Sequence, residues 1–315
     1  MDCIVGIDLG GTNIAGAAAD IEGNVLTEAV VPTPAGGHEV VLKAIDRLVR
    51  KLAGDRKLKA LALGVPGVIN PEEGLCLASG NLNWTNVPVG SFFRQRYENV
   101  PVYLDNDARV AARGEQRFGA AKNCRDFIYV TAGTGIGGGI FTGGMPVTGS
   151  RGGGGEIGHM VLLPDGPPCT CGGRGCLETL AAAPALAREG RLEALKDPFS
   201  LLHELAAREG AITAAMVSEA CDRGDIAANA AFQRCAGWLG IGLAGLINIF
   251  NPGKVIIGGG LSLAGDKLLG VVKAKVARHA MREQGRHVEI ILSPLRNKAG
   301  LYGALALALS GYKQA

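Results

Sequence analysis

Ile4-Val5-Gly6-Ile7-Asp8-Leu9-Gly10-Gly11-Thr12-Asn13 is the stretch on which the reading of the chain turns. An apolar run ends in an acid, two glycines and a hydroxyl, and residues 13–20 resume the apolar pattern. Strand, glycine turn, strand is the direct reading, and Glu22-Gly23-Asn24 turns the chain into a further strand at 25–31. Val130-Thr131-Ala132-Gly133-Thr134-Gly135 repeats the pattern, with a strand at 127–132 before it and one at 139–142 after it. Two unrelated hairpins would look the same. The fuller reading is two halves of like topology, each offering a glycine hairpin to a shared cleft.

Successive backbone N–H groups with no Cβ in the way suit a phosphate, which makes Gly10, Gly11, Thr12 and Asn13 one candidate cradle and Thr131, Gly133, Thr134 and Gly135 a second. Gly133, Gly135 and Gly138 also satisfy G-x-G-x-x-G, but that run enters a strand rather than a helix and has no acid about twenty residues on, so a Rossmann site is rejected. No G-x-x-x-x-G-K-[ST] loop occurs either. Asp8 is placed to hold Mg²⁺ near phosphates, or merely to cap the turn.

Outward from the turns, strands and helices alternate. Val41, Ala44, Ile45, Leu48, Val49 and Leu52 recur at helical spacing, so 38–53 is an amphipathic helix closed by Gly54. Strands are expected at 58–64, 102–105, 255–257 and 288–292, and helices at 107–118, 264–283 and 299–310, with 184–250 helical in composition. This is an α/β chain. Residues 186–225 match nothing informative and read as surface helices. At 315 residues the chain has roughly two domains' worth of length. Its 47% hydrophobic content excludes intrinsic disorder, and a net charge of +3 with no basic run argues against nucleic acid or a membrane surface as partner. Glycine, 49 residues, is about twice its usual share.

Met1-Asp2-Cys3 opens a segment with no positive n-region, and the longest apolar stretch, 236–250, is too short to span a bilayer and reads as a buried helix; a cytoplasmic protein is expected. Cys3, Cys76, Cys124, Cys221 and Cys235 are scattered, as core residues are. Cys169, Cys171 and Cys176 crowd into eight residues, ten after His159. Three thiolates and an imidazole make the closed tetrahedral set of a structural zinc site, against the alternatives of a disulfide or free thiols. Asp105-Asn106-Asp107 lies at a strand-to-helix junction, where a hydroxyl's proton could be accepted. Taken alone, Asp107 reads as a helix N-cap.

Together Asp8-Leu9-Gly10-Gly11-Thr12, Asn106-Asp107-Ala108, Gly155-Glu156-Ile157-Gly158-His159 and Cys169-Thr170-Cys171-Gly172-Gly173-Arg174-Gly175-Cys176 resemble the ROK-family sugar kinases, bacterial glucokinases most of all, over residues 4 to about 310. The resemblance implies the two-domain actin-like ATPase fold (sugar kinase, heat-shock, actin) with a cleft between domains, here 1–112 with 297–315 as a smaller α/β domain and 113–296 as a larger one bearing a zinc-bound loop. It implies transfer of the γ-phosphoryl group of ATP to the 6-hydroxyl of glucose, with N-acetylmannosamine, fructose or allose as alternative acceptors. Asp107 would be the catalytic base. Gly67, Asn81, Asn106, Glu156, His159 and Glu178 would meet the sugar, with Ser79 a weaker candidate and Trp84 read as packing. Gly258, Gly259 and Gly260 would meet adenosine, and His159, Cys169, Cys171 and Cys176 the structural Zn²⁺. His159 is expected to serve twice, one ring nitrogen on zinc and the other donating to the sugar. Asp105 departs from the family pattern, which often has Glu there. A homodimer is expected. The family's transcriptional repressors are the distant alternative; they carry a helix-turn-helix ahead of the first strand, where this sequence has three residues before Ile4.

Overall fold

In the computed structural model, which describes Met1–Gln314, the opening stretch forms β1 (Asp2–Leu9) and β2 (Asn13–Ala19), an antiparallel hairpin extended by β3 (Val25–Pro32). Helix α1 (His38–Ala53) returns the chain to β4 (Lys57–Val65), which lies parallel to β1, and β8 (Val102–Asn106) lies parallel to β4. The order is therefore β3-β2-β1-β4-β8.

Side chains on β1 alternate between two cores, as the period of a strand requires. Val5, Ile7 and Leu9 meet the buried face of α1, and Ile4 meets Leu301, Leu305 and Leu309 of α11 (Ala299–Gln314). The alternation puts Asp8 on the α11 side. Between β4 and β8 the chain makes β5 (Val68–Asn70), β6 (Leu75–Ser79) and β7 (Trp84–Val87), an antiparallel sheet, and then α2 (Val89–Arg94). Sequence periodicity gives no sign of this sheet, because strands of three to five residues, broken by Pro71, Gly74 and Gly80, are too short to show one. Helix α3 (Asp107–Phe118) follows β8 directly.

A second sheet contains β9 (Phe127–Ala132), β10 (Ile136–Thr142), β11 (Met145–Pro146), β12 (Lys254–Gly258) and β13 (Glu289–Leu292), in the order β11-β10-β9-β12-β13. Strand β10 begins three residues earlier than the sequence suggests. Helix α4 (Leu177–Ala181) precedes the stretch expected to be helical, and α5 (Ala183–Ala194), α6 (Leu201–Glu209), α7 (Ala214–Asp222) and α8 (Ile226–Phe250) fill it. The breaks before α6, α7 and α8 fall at Ser200, Thr213 and Asp225, whose side chains accept from the first-turn N–H groups. The 25 residues of α8 are long and apolar enough to cross a membrane, yet 67% of its apolar window is buried, against α4, α5, α7 and α9 (Asp266–His279), so it is a core helix. The single helix expected over 264–283 is two, α9 and α10 (Arg282–His287), because Ala280 turns extended and Asn248 of α8 accepts from the Met281 N–H at 2.7 Å.

The chain divides into two compact units: 1–125 with 139–155 and 293–315, and 126–138 with 156–292. Helix α3, which a boundary at 112 would cut, stays whole in the first unit because it packs along α11.

Candidate active site

In the first unit the turn after β1 is exposed at Gly11, Thr12 and Asn13 and held from behind. Gly10 N–H donates to the Asn13 carbonyl at 2.9 Å, while Thr33 binds the Gly10 carbonyl with its hydroxyl at 2.7 Å and the Thr12 carbonyl with its N–H at 2.8 Å. Thr33 escapes motif reading because it belongs to another strand's end. Asp8 lies over the start of α11: a Cβ on Gly300 would fall 2.2 Å from its carboxylate, so only glycine leaves that oxygen its place. Enclosure by protein and the nearby charge of Asp107 push the Asp8 carboxyl up to about 7.

At the end of β8 the capping role falls on Asn106. Its Oδ1 accepts from the Ala108 and Arg109 N–H groups at 3.0 and 3.1 Å, and its Nδ2 donates to the Gly67 carbonyl at 3.0 Å. Asp107, the first helical residue, is thereby free of the capping duty; its Oδ1 accepts from the Ala108 N–H at 2.8 Å, and burial raises its pKa. Asp105 turns inward, buried and paired with Arg109 at 2.7 Å. Gly67 has a φ of +109°, and a side chain there would strike the Ala78 carbonyl, so it shapes the β4–β5 turn. Beside it the buried Ser79 Oγ has no hydrogen-bond partner among the described residues. Asn81 is exposed, its carbonyl 3.9 Å from where a Cβ on Gly11 would stand, and Trp84 is buried.

The second unit gathers His159, Cys169, Cys171 and Cys176, whose donor atoms all lie within 4.8 Å of one another. Cys171 and Cys176 Sγ are 3.7 Å apart, far beyond a disulfide, and His159 Nδ1 is 3.5 Å from Cys169 Sγ. A tetrahedral zinc with Zn–S about 2.3 Å and Zn–N about 2.05 Å has edges of about 3.7 and 3.5 Å. The donor set fits that ion. Burial pushes the Cys176 thiol up to about 12, so a thiolate there needs a cation beside it. Of the scattered cysteines, Cys3, Cys76, Cys221 and Cys235 are buried.

Both arms of this cluster grip Ile136, the residue after the second glycine turn. Glu178 Oε2 accepts the Ile136 N–H at 2.9 Å, and Gly158 abuts the Ile136 carbonyl so closely that a Cβ would overlap it. Glu156 is exposed, at the start of the 3₁₀ turn that carries His159.

The second turn closes with Gly133 N–H donating to the Gly135 carbonyl at 2.9 Å. Because β9 and β12 are parallel neighbours, Gly133 and Gly260 meet at their C-terminal ends, the side on which open α/β sheets take ligands. A cavity of about 700 Å³ opens there, lined by Gly133, Thr134 and Gly260 together with Leu186 of α5 and Ala215 and Ser218 of α7. Residues 186–225, expected only as surface helices, thus supply one wall. Gly260 has nothing within 4 Å of a notional Cβ, whereas Gly258 and Gly259 are packed against Tyr129 and Ala132.

The ROK family profile matches residues 4–310. The chain is 36% identical to a glucokinase of Halalkalibacterium halodurans over 309 residues, covering 95% of this chain and 92% of that one. A xylose repressor of Caldicellulosiruptor bescii is 31% identical, over 98% of this chain and 78% of its own length. A ROK family glucokinase from Streptomyces griseus, solved in complex with glucose and AMPPNP, superposes with a TM-score of 0.86 at 35% identity, covering 98% of this chain and all of that one. The actin-like ATPase fold of the sugar kinases is therefore the fold of this chain. With its motifs seated as described and the profile spanning nearly its whole length, the protein belongs to the ROK family.

Proposed function

We propose that the protein is an ATP-dependent hexose kinase that transfers the γ-phosphoryl group to the 6-hydroxyl of glucose. The observation that carries this is the division of labour at the β8–α3 junction: Asn106 caps the helix, leaving Asp107 as a carboxylate whose burial makes it a better base than an exposed aspartate. As O6 attacks the terminal phosphorus, its proton passes to an Asp107 oxygen, and the bond from that phosphorus to the bridging oxygen breaks to release ADP. Phosphoryl transfer needs little covalent help beyond this, so the remaining residues bind and position.

Asp8 would hold Mg²⁺, directly or through water; two carboxylates close enough to raise the pKa of one suit a divalent cation. Bound Mg²⁺ neutralises phosphate charge. The turns at Gly10–Asn13 and Gly133–Gly135 are read as phosphate cradles, and the 700 Å³ cavity beside Gly260 as the seat of adenosine. Glu156, Glu178 and His159 Nε2 are read as the sugar's hydrogen-bonding partners, with His159 Nδ1, Cys169, Cys171 and Cys176 holding a structural zinc that fixes both arms.

ADP release measured with glucose, mannose, N-acetylmannosamine, N-acetylglucosamine, fructose and allose tests the reading. The highest kcat/KM is expected for glucose, since specificity is the ratio of those values. A higher value for N-acetylmannosamine or fructose would reassign the acceptor. Sugar binding without ADP release from any of the six would favour the repressor-like relatives instead.

A further inference from the structure

Arg109 is 1% exposed, one of the largest fully buried side chains described, and the hexose-kinase mechanism gives it no part. Its Nε donates to Asp105 Oδ1 at 2.7 Å, and its Nη1 donates to the carbonyl of Gly154 at 2.8 Å. All three residues lie in the first unit. Burying a guanidinium is costly unless its charge is paired, and Asp105 supplies that pairing. The bond to Gly154 is a separate matter, because charge balance alone does not require a loop carbonyl.

That loop is otherwise seated by shape. Gly154 N–H donates to the Thr148 carbonyl at 2.8 Å, closing residues 148–154 on themselves. Gly152, at a φ of +76°, rests on the Ile69 carbonyl of β5, where a Cβ would come within 2.0 Å. Arg109 adds the charge-assisted bond that ties the loop to α3, two residues past Asp107. Two residues beyond Gly154 the chain reaches Glu156.

We propose that Arg109, steadied by Asp105, is a positioning residue that fixes the Gly154 carbonyl and so holds the segment from which the chain runs on to Glu156, the first residue of the second unit. The role rests on the kinase reading of Glu156, while the anchoring of the loop does not. It also gives the departure at Asp105 a purpose: the acid at this position pairs with an arginine one helical turn on.

The test uses the full-length protein and its Arg109→Lys and Arg109→Met variants. Lysine keeps the positive charge beside Asp105 but lacks the fork that reaches two acceptors, and in the Met variant Arg113, 3.7 Å from Asp105, still balances the acid. Hydrogen exchange of the peptide 148–156, without ligands, should speed up by about tenfold in both variants, as loss of one charge-assisted bond implies. The glucose KM should rise by a similar factor in both, with the ATP KM unchanged and the melting temperature of Arg109→Lys close to wild type. Unchanged exchange overturns the anchor. Faster exchange with an unchanged glucose KM, or a fall in kcat that only follows a lower melting temperature, overturns the positioning role and leaves Arg109 structural. If the wild type phosphorylates no hexose, the kinase reading fails, and the exchange rates alone then uphold or overturn the anchor.

Discussion

In β3-β2-β1-β4-β8 and in β11-β10-β9-β12-β13 a hairpin side meets a pair of parallel strands, and a glycine turn joins the two innermost hairpin strands. The register carries the likeness to single residues. Asp8 pairs across to Gly64 at the end of β4, and Thr131 pairs across to Gly258 at the end of β12. The fifth strand of the first sheet runs out into Asp105, Asn106 and Asp107, while that of the second ends at Leu292 with no acid. Equivalent strand ends are thus charged in one half and neutral in the other. Both halves present an open glycine turn, but only the first sets carboxylates at its strand ends, where the reading proposed above puts the proton acceptor and Mg²⁺. The second instead leaves open the cavity beside Gly260.

The sharpest way to break this contrast is to remove the charge at one strand end and the hydroxyl at the other. Asp107→Ala should lower kcat by roughly 10²–10⁴, the usual worth of a general base, while glucose binding by calorimetry stays measurable. Thr131→Ala, in the neutral half, should cost less than about tenfold, the scale of one neutral hydrogen bond. Near-normal turnover in Asp107→Ala would take the chemistry away from the first half.

A smaller difference separates the turns. A Cβ at Gly135 would sit 2.4 Å from Glu178 Oε2, whereas one at Gly11 would come no nearer to the Asn81 carbonyl than 3.9 Å. Neither glycine has a left-handed φ, so space decides. Gly135→Ala should displace Glu178 and lower kcat/KM for glucose by about 10–100-fold, as a misplacement near 1 Å can. Gly11→Ala should stay within a few-fold. Equal losses at both positions would mean that Glu178 does not brace the second turn.

Much of this was legible beforehand, and for a common reason. Helices α1 and α3 and strand β9 begin and end where the sequence places them, because Gly54, Asp107 and Phe127 mark their bounds locally. The Cys/His cluster was legible because three cysteines crowd into eight residues ten after His159, and the fold brings all four donors within 4.8 Å of one another. Features made by distant segments were not. Gly300 beneath Asp8, Thr33 behind the first turn, and α7 along the cavity have no local signature, since each matters only through what the fold sets beside it. Residue type alone leaves the cap at the β8–α3 junction open, since Asn106 and Asp107 are both good caps, and only the observed bonds from the Ala108 and Arg109 N–H groups to Asn106 decide between them.

The finest test concerns stability and uses the one strand-end acid whose pKa is displaced to about 7, Asp8, against a reference of 3.8. A carboxyl with a raised folded-state pKa keeps its proton in the folded chain after the unfolded chain has lost it. Folding is then favoured more at low pH, and that advantage drains away as pH rises from about 4 through about 7. The full displacement would correspond to about 4 kcal/mol at 1.36 kcal/mol per pKa unit, and screening at a half-buried site reduces it to about 1–2 kcal/mol. Urea unfolding of the ligand-free protein at pH 5 and pH 8, compared with Asp8→Asn, isolates the effect. The wild type should lose about 1–2 kcal/mol relative to Asp8→Asn between those values, and Thr131→Ala, with no titrating group at the matching strand end, should run parallel to wild type. Parallel behaviour of Asp8→Asn as well would show that Asp8 ionises as an ordinary carboxylate, and the electrostatic difference between the two halves would then rest on Asp107 alone.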